Sequence, residues 1–284
     1  MTAGEGIAVF EQHRRRLFSV AYGILGSRAD AADVVQDAWI RWQDRPTGEV
    51  RDPAAWLTTV TARLALDRLR SAQVRRETYP GTWLPEPIVE APSAEESVLQ
   101  RGDLSVAFLF LLERLGPDER AAFVLREVFD YSYRDISQAL EKSEAACRQL
   151  VTRARERVRQ DRVRSVVDRG DFANLVGRFV DALTAGDERA LMELIAPASV
   201  LYGDGGGKVS AVVNPLQGHD RIVRFLLGLM RKYPGQFEFR PADVNGWPGL
   251  LIYIGGKLNG VSAYEIADGK IQGIYHVLNP DKLP

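Results

Sequence analysis

The sequence predicts a multidomain chain in which two all-α blocks are followed by a C-terminal α+β domain. Apolar residues recur at helical spacing through residues 1–76 and again through 95–168, where the block ends in a helix-turn-helix pattern. Between these blocks, residues 77–94 are rich in proline and glycine, which predicts a linker. From 169 to 284 the pattern changes to amphipathic helices and alternating strands, which is typical of an α+β fold.

The first block is predicted to form three helices packed as a bundle. Gly26 ends the first, the second runs from about residue 29 to 44, and Pro53 suits the first turn of the third. The expected apolar positions are Phe10, Leu17, Tyr22 and Leu25, then Val34, Val35, Ala38 and Trp39, then Trp56, Leu57, Val60, Leu64 and Leu69. Each set repeats at helical spacing, so each helix has one face for a core.

The last helix of the second block is rich in arginine. Ser132 can cap the helix before it, together with Asp135, and Ser143 can cap the last helix itself. Its apolar stripe is Cys147, Leu150, Val151, Ala154 and Val158, and its open face has Glu144, Arg148, Gln149, Thr152, Arg153, Arg155 and Glu156. Arginine and glutamine can bind base edges in the major groove, so the pattern predicts DNA binding. The alternative is a solvated arginine-rich helix in a small bundle.

Charge distribution and cysteine usage narrow the class of protein. The chain has 37 Lys+Arg against 38 Asp+Glu, so net charge indicates nothing about partners, but basic runs at 63–76 and 143–169 flank an acidic stretch at 77–104. Cys147 is the only cysteine, which excludes an internal disulfide, and we expect a core residue. We expect no metal, no cofactor and no membrane partner, because ligand clusters, a signal peptide and ~18-residue apolar runs are missing. The chain is expected to be cytoplasmic.

The third block is predicted to combine helices with a curved antiparallel sheet. The expected helices are Asp171–Leu183 and Arg221–Tyr233, and the expected strands are 199–202, 209–213, 237–241, 250–254, 261–266 and 271–278. Asp268-Gly269 is a strong hairpin turn between the last two strands. The glycine run before Lys208 lacks the context of a phosphate-binding loop, so we interpret it as a flexible hairpin loop whose lysine contacts another domain.

Three segments of the helical blocks resemble extracytoplasmic-function sigma factors of bacterial RNA polymerase. They are Asp30-Ala-Ala-Asp-Val-Val-Gln-Asp-Ala-Trp-Ile-Arg41, Asp52-Pro-Ala-Ala-Trp-Leu-Thr-Thr-Val-Thr-Ala-Arg-Leu-Ala-Leu-Asp-Arg-Leu-Arg70 and the helix-turn-helix. The first block is similar to sigma region 2, the second to region 4, and the third resembles a SnoaL-like cone domain. Trp83-Leu-Pro-Glu-Pro87, Asp204-Gly-Gly-Gly-Lys208 and Asn279-Pro-Asp-Lys-Leu283 match the subgroup with this fused domain. The resemblance covers nearly the whole chain.

This resemblance implies contacts with core RNA polymerase and with promoter DNA. Asp33, Gln36 and Asp37 would meet the β′ clamp helices, unless they form an ordinary solvated face. The β flap is the other expected contact on the polymerase. Region 4 would recognise the −35 element through Arg148, Gln149, Thr152 and Arg153. Region 2 would contact the melted −10 element through Trp56, Arg63, Arg68 and Arg70, although Trp56 also fits a core position. The loop 45–52 is the expected base-reading element, and Arg63 stands where the family often has asparagine.

The fused domain of this subgroup implies regulation in cis. We expect the linker residues Trp83, Leu84 and Pro85 to pack against two segments of the third block, which are Asp204, Gly205, Gly206, Gly207 and Lys208, and the tail with Asn279, Pro280 and Asp281. A tethered contact acts at millimolar effective concentration, so it could hold the free sigma factor compact, as a monomer.

A pocket in the third block leaves two other functions open. Tyr202, Asp204, Tyr264 and His276 could converge there as acid–base residues of a cyclase- or isomerase-like enzyme in 171–284. The chain could instead be a DNA-binding regulator that senses a small ligand. A lone histidine on a strand is more often a core or rim residue, and the promoter sequence and any ligand stay undetermined.

Overall fold

The computed structural model describes residues 3–44, 50–90, 104–161 and 168–284, and these fall into two compact units. The first unit contains Met1–Glu77, Glu96–Leu104 and Phe108–Arg162. The second contains Thr78–Glu95, Ser105–Ala107 and Val163–Pro284. Residues 78–90 of the predicted linker therefore belong to the same unit as the C-terminal domain. Each described helix is too short or too polar to span a bilayer.

The helices of the N-terminal half agree with the helical periodicity. Their bounds are α1 (Ala3–Leu25), α2 (Arg28–Gln43), α3 (Pro53–Glu77), α4 (Val106–Leu112), α5 (Pro117–Phe123) with a π-helical continuation (Val124–Val128), α6 (Tyr133–Leu140) and α7 (Glu144–Asp161). The Ser27 hydroxyl accepts from the backbone N–H of Asp30 and caps α2. Ser132 and Asp135 form the predicted capping box at the start of α6.

The core between α1, α2 and α3 differs from the prediction at one tryptophan. Trp42 is fully buried beside Phe10, Leu17 and Leu57, and its indole N–H donates to the Gly6 carbonyl at 2.8 Å. Trp39, which was predicted for this core, is only partly buried. The buried face of α2 continues from Val35 through Ala38 to residue 42, a spacing of three and four that leaves Trp39 at the edge of the core. Its ring still packs against Phe10, with centroids 4.8 Å apart.

The helix-turn-helix follows the predicted burial pattern. The stripe of α7 is buried at Cys147, Leu150, Val151, Ala154 and Val158. The Ser143 hydroxyl accepts from the backbone N–H of Ala146 at 3.2 Å and caps the helix. Burial raises the pKa of the Cys147 thiol, in keeping with a packing role. The opposite face of α7, which has the polar side chains, is exposed to solvent.

The second unit is an α+β domain, as predicted. Its described helices and strands are α8 (Arg169–Ala185), α9 (Glu188–Leu194), α10 (His219–Lys232), β1 (Val89–Glu90), β2 (Ile195–Asp204), β3 (Leu216–Gln217), β4 (Phe237–Val244), β5 (Trp247–Ile254), β6 (Lys257–Ala267) and β7 (Lys270–Val277). Within the described residues the strands form one sheet in the order β1-β4-β5-β6-β7-β2-β3. Only β2 and β7 pair in parallel, and the other neighbours are antiparallel.

Several details of this unit were not predicted. The segment 209–213 was expected to be a strand, but it forms a loop with Val209 and Val213 exposed. Alternation alone cannot distinguish a short strand from an extended loop without a pairing partner. The helix α9 and the two-residue strands β1 and β3 had no clear signal, because they are too short for a periodic pattern.

Helices α8 and α10 pack on one face of the sheet and form the core of the second unit. Phe179 of α8 meets Tyr264 of β6 edge to face, with ring centroids 5.8 Å apart. Ile222 and Leu226 of α10 and Ile274 of β7 belong to the same buried cluster. Between this face and the helices the packing is incomplete and leaves a cavity of about 380 Å³.

Candidate functional site

The carboxylate of Asp204, at the end of β2, binds the linker to the C-terminal domain. It accepts from the Tyr79 hydroxyl at 2.6 Å, from the Leu84 backbone N–H at 2.8 Å and from the Gly206 N–H at 3.1 Å. The ammonium of Lys282 donates to it at 2.7 Å. Asp204 is 1% exposed, so these four donors replace water and use the acceptor sites of both oxygens.

Lys282 completes the same site from the C-terminal tail. Its ammonium donates to the Leu84 carbonyl at 2.6 Å and lies over the Trp83 ring, 4.1 Å from the centroid. The side chain is 5% exposed, so its charge is stable there because the Asp204 carboxylate neutralises it. We call Tyr79, Trp83, Leu84, Asp204 and Lys282 the linker latch. Burial and the Asp204 charge raise the pKa of Tyr79, which keeps its hydroxyl a donor.

The glycine loop after Asp204 is packed, which corrects its interpretation as a flexible hairpin. A Cβ on Gly206 would lie 2.4 Å from the Asn279 Nδ2, and the backbone there has a φ of +60°. That Asn279 amide donates to the Tyr79 hydroxyl at 2.9 Å. Lys208 was expected to contact another domain, but its ammonium pairs with Asp281 of the tail. Glycine is therefore needed for close approach, and the loop and the tail form one surface.

The linker also extends the sheet beyond the latch. Its residues Val89 and Glu90 form β1, which pairs antiparallel with β4. The Ile88 N–H donates to the Asn245 side-chain oxygen at 2.9 Å, and the Asn245 N–H donates to the Ile88 carbonyl at 2.8 Å. Pro85 is buried, as is Pro87.

The structure brings Trp83 and Leu84 together with the two predicted segments, through Asp204 and Lys282, and Gly207 lies close to Pro80 of the linker. Three important residues of this site were not singled out from the sequence, namely Tyr79, Asn245 and Lys282. Only Lys282 had a signal, because it lies inside the quoted motif that begins at Asn279.

The predicted base-reading residues of α7 are exposed and tied to neighbours by local ion pairs. The Arg148 guanidinium donates to Glu144 at 2.8 Å and lies over the Tyr133 ring. Arg153 donates to Glu119 of α5 at 3.1 Å. Gln149 and Thr152 are exposed beside them. The Arg148–Glu144 pair is exposed on both sides and contributes little to stability, so Arg148 can exchange it for another anion at low cost. Glu119 is buried, and it also accepts from Arg157, so it keeps a partner when Arg153 leaves.

In the first block, the predicted polymerase-binding face and one predicted DNA contact are joined. Arg68 of α3 donates to Asp33 at 2.6 Å and to Asp30 at 2.7 Å. Gln36 and Asp37 lie on α2, the helix that contains Asp33, and both are exposed. Trp56 is partly buried, with its ring 5.5 Å from that of Trp42, which agrees with a core position. The expected base-reading loop 45–52 lies mostly outside the described residues.

Other predicted −10 residues pair with the second helical block inside the first unit. Arg63 donates to the Gln138 carbonyl at 2.6 Å and lies 3.3 Å from the Glu141 carboxylate. Arg70 donates to Asp118 at 2.8 Å. Burial would raise the pKa of Asp118, but the hydrogen bonds from Arg70 and Lys142 outweigh it and hold the pKa below its usual value. The two helical blocks are therefore matched in charge where they meet.

A partly buried carboxylate and a tyrosine extend this contact. Glu113 accepts from both Arg76 of α3 and Arg120 of α5, and Arg120 is only 1% exposed. Arg76 also donates to the Leu25 carbonyl at 2.7 Å. Nearby, the Tyr131 hydroxyl accepts from Arg16 at 2.9 Å. Buried charges are stable only when paired, so these groups favour the packed arrangement of the first unit.

The cavity of the second unit contains only part of the predicted acid–base set. Tyr264 and His276 line it, and burial lowers the pKa of His276 to about 4. Tyr202 and Asp204 do not, which corrects the expectation that the four residues converge. Successive residues of β2 point to opposite faces: Leu201 and Gly203 line the cavity, while Tyr202 stacks on Tyr275 across the sheet, ring centroids 5.3 Å apart.

Comparison with known proteins defines the class to which these surfaces belong. Residues 9–75 match the family model for Sigma-70 region 2, and residues 105–158 match the model for Sigma-70 region 4. The chain belongs to the ECF family of RNA polymerase sigma factors. It is thus an alternative sigma factor that directs transcription, and proteins of this class bind core RNA polymerase and promoter DNA.

Among individual relatives, ECF RNA polymerase sigma factor SigJ of Mycobacterium tuberculosis is 42% identical over 97% of this chain and 92% of its own length. Probable ECF RNA polymerase sigma factor SigI of the same species is 31% identical over 97% of this chain and 94% of its length. The crystal structure of M. tuberculosis SigJ superposes with a TM-score of 0.81 and 38% identity over 97% of both chains. The similarity therefore includes the C-terminal α+β domain as well as the two sigma regions.

Proposed function

We propose that this sigma factor recognises promoters through both helical blocks, with 1–76 acting as region 2 and 95–168 as region 4. Arg148, Gln149, Thr152 and Arg153 would contact the −35 duplex, since they share the exposed face of α7. Arg63, Arg68 and Arg70 would contact the −10 element, with Trp56 supporting the core beneath them.

The proposed polymerase contact is the exposed acidic face of α2. Asp33, Gln36 and Asp37 are accessible there, and carboxylates suit a basic partner such as the β′ clamp helices. Because Arg68 already pairs with Asp33, polymerase binding would compete with that pair and free the arginine for DNA. The β flap is the proposed partner of region 4.

The packed arrangement of the first unit supports a masked state of the free protein. Arg63 and Arg70, which DNA would need, are paired with Glu141 and Asp118 of region 4. On this proposal, the carboxylates of region 4 take the place that DNA phosphates would have beside Arg63 and Arg70. Binding to polymerase and promoter would require the two regions to separate, which exchanges these pairs for intermolecular ones.

We further propose that the C-terminal domain, residues 169–284, regulates this separation in cis, and the linker latch is the observation on which the proposal depends. Residues 78–105 join α3 to α4. A free connector can reach ~3.3 Å per residue, but the latch and β1 hold residues between 79 and 90 against the C-terminal domain. The length of connector available to the two sigma regions is thereby reduced. The latch would restrain the free sigma factor in its compact form.

The test uses the full-length chain with purified core RNA polymerase. Asp204→Asn should release the linker, raise the affinity for core polymerase several-fold, and increase promoter-specific run-off transcripts from a genomic fragment library. Asp281→Asn is the matched control, because it removes the carboxylate of an exposed pair in the same tail and leaves the latch intact.

Equal polymerase binding and equal transcription by the wild type and Asp204→Asn would contradict regulation through the latch. Weaker binding by the variant would mean that the latch supports the polymerase-bound form and does not restrain it. No transcripts from any variant, with competent polymerase, would contradict the proposed promoter contacts.

We propose a regulatory and not a catalytic role for the C-terminal domain. The Asp204 carboxylate is already occupied by four donors, so it is not available as a base beside His276. Among the described residues, no group of His, Cys, Asp and Glu could hold a metal ion. Of the four predicted acid–base residues, His276 and Tyr264 line the cavity, and Tyr202 and Asp204 do not.

A further inference from the structure

The cavity of the C-terminal domain has the chemistry of a binding site for a neutral ligand. Its volume of about 380 Å³ is within the range of small-molecule sites, which is roughly 300–1,000 Å³. Its wall is mostly aliphatic and aromatic, from α8, α10 and the sheet: Phe179, Leu201, Leu229, Phe239, Ile252 and Ile254. Lys232 is the one charged side chain among the described lining residues, and it is exposed, with its ammonium over the Tyr233 ring.

Polar groups at one side of the cavity can orient such a ligand. His276 and Tyr264 line the wall together. Tyr264 is buried and His276 is partly buried, so a charged ligand group beside them would lose much of its hydration without a counter-ion. An uncharged hydroxyl, carbonyl or amine could exchange a hydrogen bond with the neutral imidazole or the phenol instead.

The cavity wall and the linker latch share backbone. Gly203 lines the cavity and the next residue is the latch carboxylate, Asp204. Leu278 also lines it, and its N–H donates to the Asp204 carbonyl at 2.8 Å, as does that of Asn279. The ends of β2 and β7 therefore form both structures.

The loop 209–213 is a second connection between the cavity and the linker. Val209, Ser210, Ala211 and Val212 line the cavity, and the next residue, Val213, approaches Gly81 of the linker. A ligand that packs against this loop adds contacts which an empty cavity lacks, and it thereby favours the loop position that meets the linker.

We propose that the cavity binds a neutral, mostly apolar small molecule with one hydrogen-bonding end, and that its occupancy strengthens the linker latch. The effect on transcription rests on the proposed regulation in cis. The binding and its coupling to the linker do not, so they are tested on the full-length protein without polymerase or DNA.

The probe is N-phenyl-1-naphthylamine, a neutral fluorescent molecule with a single N–H. The full chain should bind it saturably, and the sulfonated analogue 8-anilino-1-naphthalenesulfonate should bind at least about tenfold more weakly because its charge cannot be buried. Leu229→Trp should weaken binding of the neutral probe about tenfold by filling the cavity. Arg224→Trp, on the exposed side of the same helix, should bind as the wild type does.

Circular dichroism checks that the variants fold. If Leu229→Trp does not fold, Met230→Trp provides a second variant with a filled cavity. The absence of saturable binding, or equal binding by both filled variants, would overturn the site. Equal affinity for the sulfonated analogue would overturn the assignment to a neutral ligand.

Coupling is measured by hydrogen exchange of linker peptides covering 78–90. A saturating concentration of the probe should slow hydrogen exchange of the Leu84 amide about fivefold or more. Because coupling between two sites is reciprocal, Asp204→Asn should lower the affinity for the probe by the same factor. Unchanged exchange together with unchanged affinity would overturn the coupling. If Asp204→Asn leaves transcription unchanged while the binding and exchange results are as expected, regulation in cis is contradicted and the ligand site is still supported.

Discussion

At the scale of single residues, the buried pair of Asp204 and Lys282 determines how the linker is held. Both side chains are almost fully buried, and each also bonds the backbone of Leu84. A surface pair between the glycine loop and the tail, Lys208 with Asp281, has side chains that are more than half exposed. Both pairs join a lysine to an aspartate, so a comparison of the two measures how burial changes the contribution of such a pair to stability.

Asp204→Asn should lower the free energy of unfolding of the second unit by about 3–5 kcal/mol, because it leaves the Lys282 charge buried without a counter-ion. Asp281→Asn should cost less than about 1 kcal/mol, because its pair is solvated. Urea unfolding of the full chain, followed through the transition of the second unit, measures both. Similar losses for the two variants would show that the buried pair has no special weight.

His276 makes the stability of the second unit depend on pH. Its pKa in the folded protein is about 4, below the ordinary value of about 6.5, so the unfolded chain binds a proton that the native one excludes. The free energy of unfolding should therefore fall as pH drops from 6.5 to 4, by at most about 3 kcal/mol from this group. His276→Gln should flatten that part of the curve in urea unfolding measured at several pH values. Parallel curves for variant and wild type would contradict it.

Gly206 tests close approach separately from backbone strain. Gly206→Ala and Gly255→Ala both place a side chain at positive φ, +60° and +55° respectively, which costs about 1–2 kcal/mol. Only at Gly206 does the new Cβ meet Asn279, because the space around Gly255 is open. The first variant should therefore lose more stability and also loosen the linker, measured by exchange of the Leu84 amide. Equal effects of the two substitutions would contradict a packing role for the loop.

At the scale of elements, the periodic segments were predictable and the short ones were not. The stripe of α7 and the caps at Ser132 and Ser143 follow directly from spacing and side-chain chemistry. The strand β1 exists only because β4 offers an unpaired edge beside Asn245. The segment 209–213 has strand-like residues but no such edge, and it remains a loop.

At the scale of the first unit as a whole, Glu113 joins the two sigma regions. It accepts from Arg76 of region 2 and from the buried Arg120 of region 4. Desolvation lowers the pKa of Arg76, and the Glu113 charge opposes this effect. Loss of the Glu113 charge would therefore leave a desolvated guanidinium without its counter-ion.

Glu113→Gln should destabilise the packed arrangement by several kcal/mol, about 3–5 by analogy with other broken buried pairs. Small-angle scattering should then show a larger radius for the free protein. Glu141→Gln is the matched control, since the Glu141 side chain is 73% exposed, and it should leave the radius unchanged. An unchanged radius for Glu113→Gln would mean that this cluster does not hold the regions together.

The sequence by itself determined the three blocks, the order of the sigma regions, the arginine-rich face of α7 and the segments that meet at the linker. The blocks and the face of α7 depend on local periodicity, capping and turn chemistry in neighbouring residues. The order of the sigma regions and the segments that meet at the linker follow instead from the resemblance to the sigma-factor family. Tertiary structure alone decided that Lys282 and Tyr79 complete the Asp204 site, that Tyr202 leaves the cavity, and that Arg63 and Arg70 pair with region 4. Those outcomes depend on which residues, distant in the sequence, meet in the folded protein. A buried charge requires a partner there, and the alternation of side chains along a strand decides which of them face the cavity.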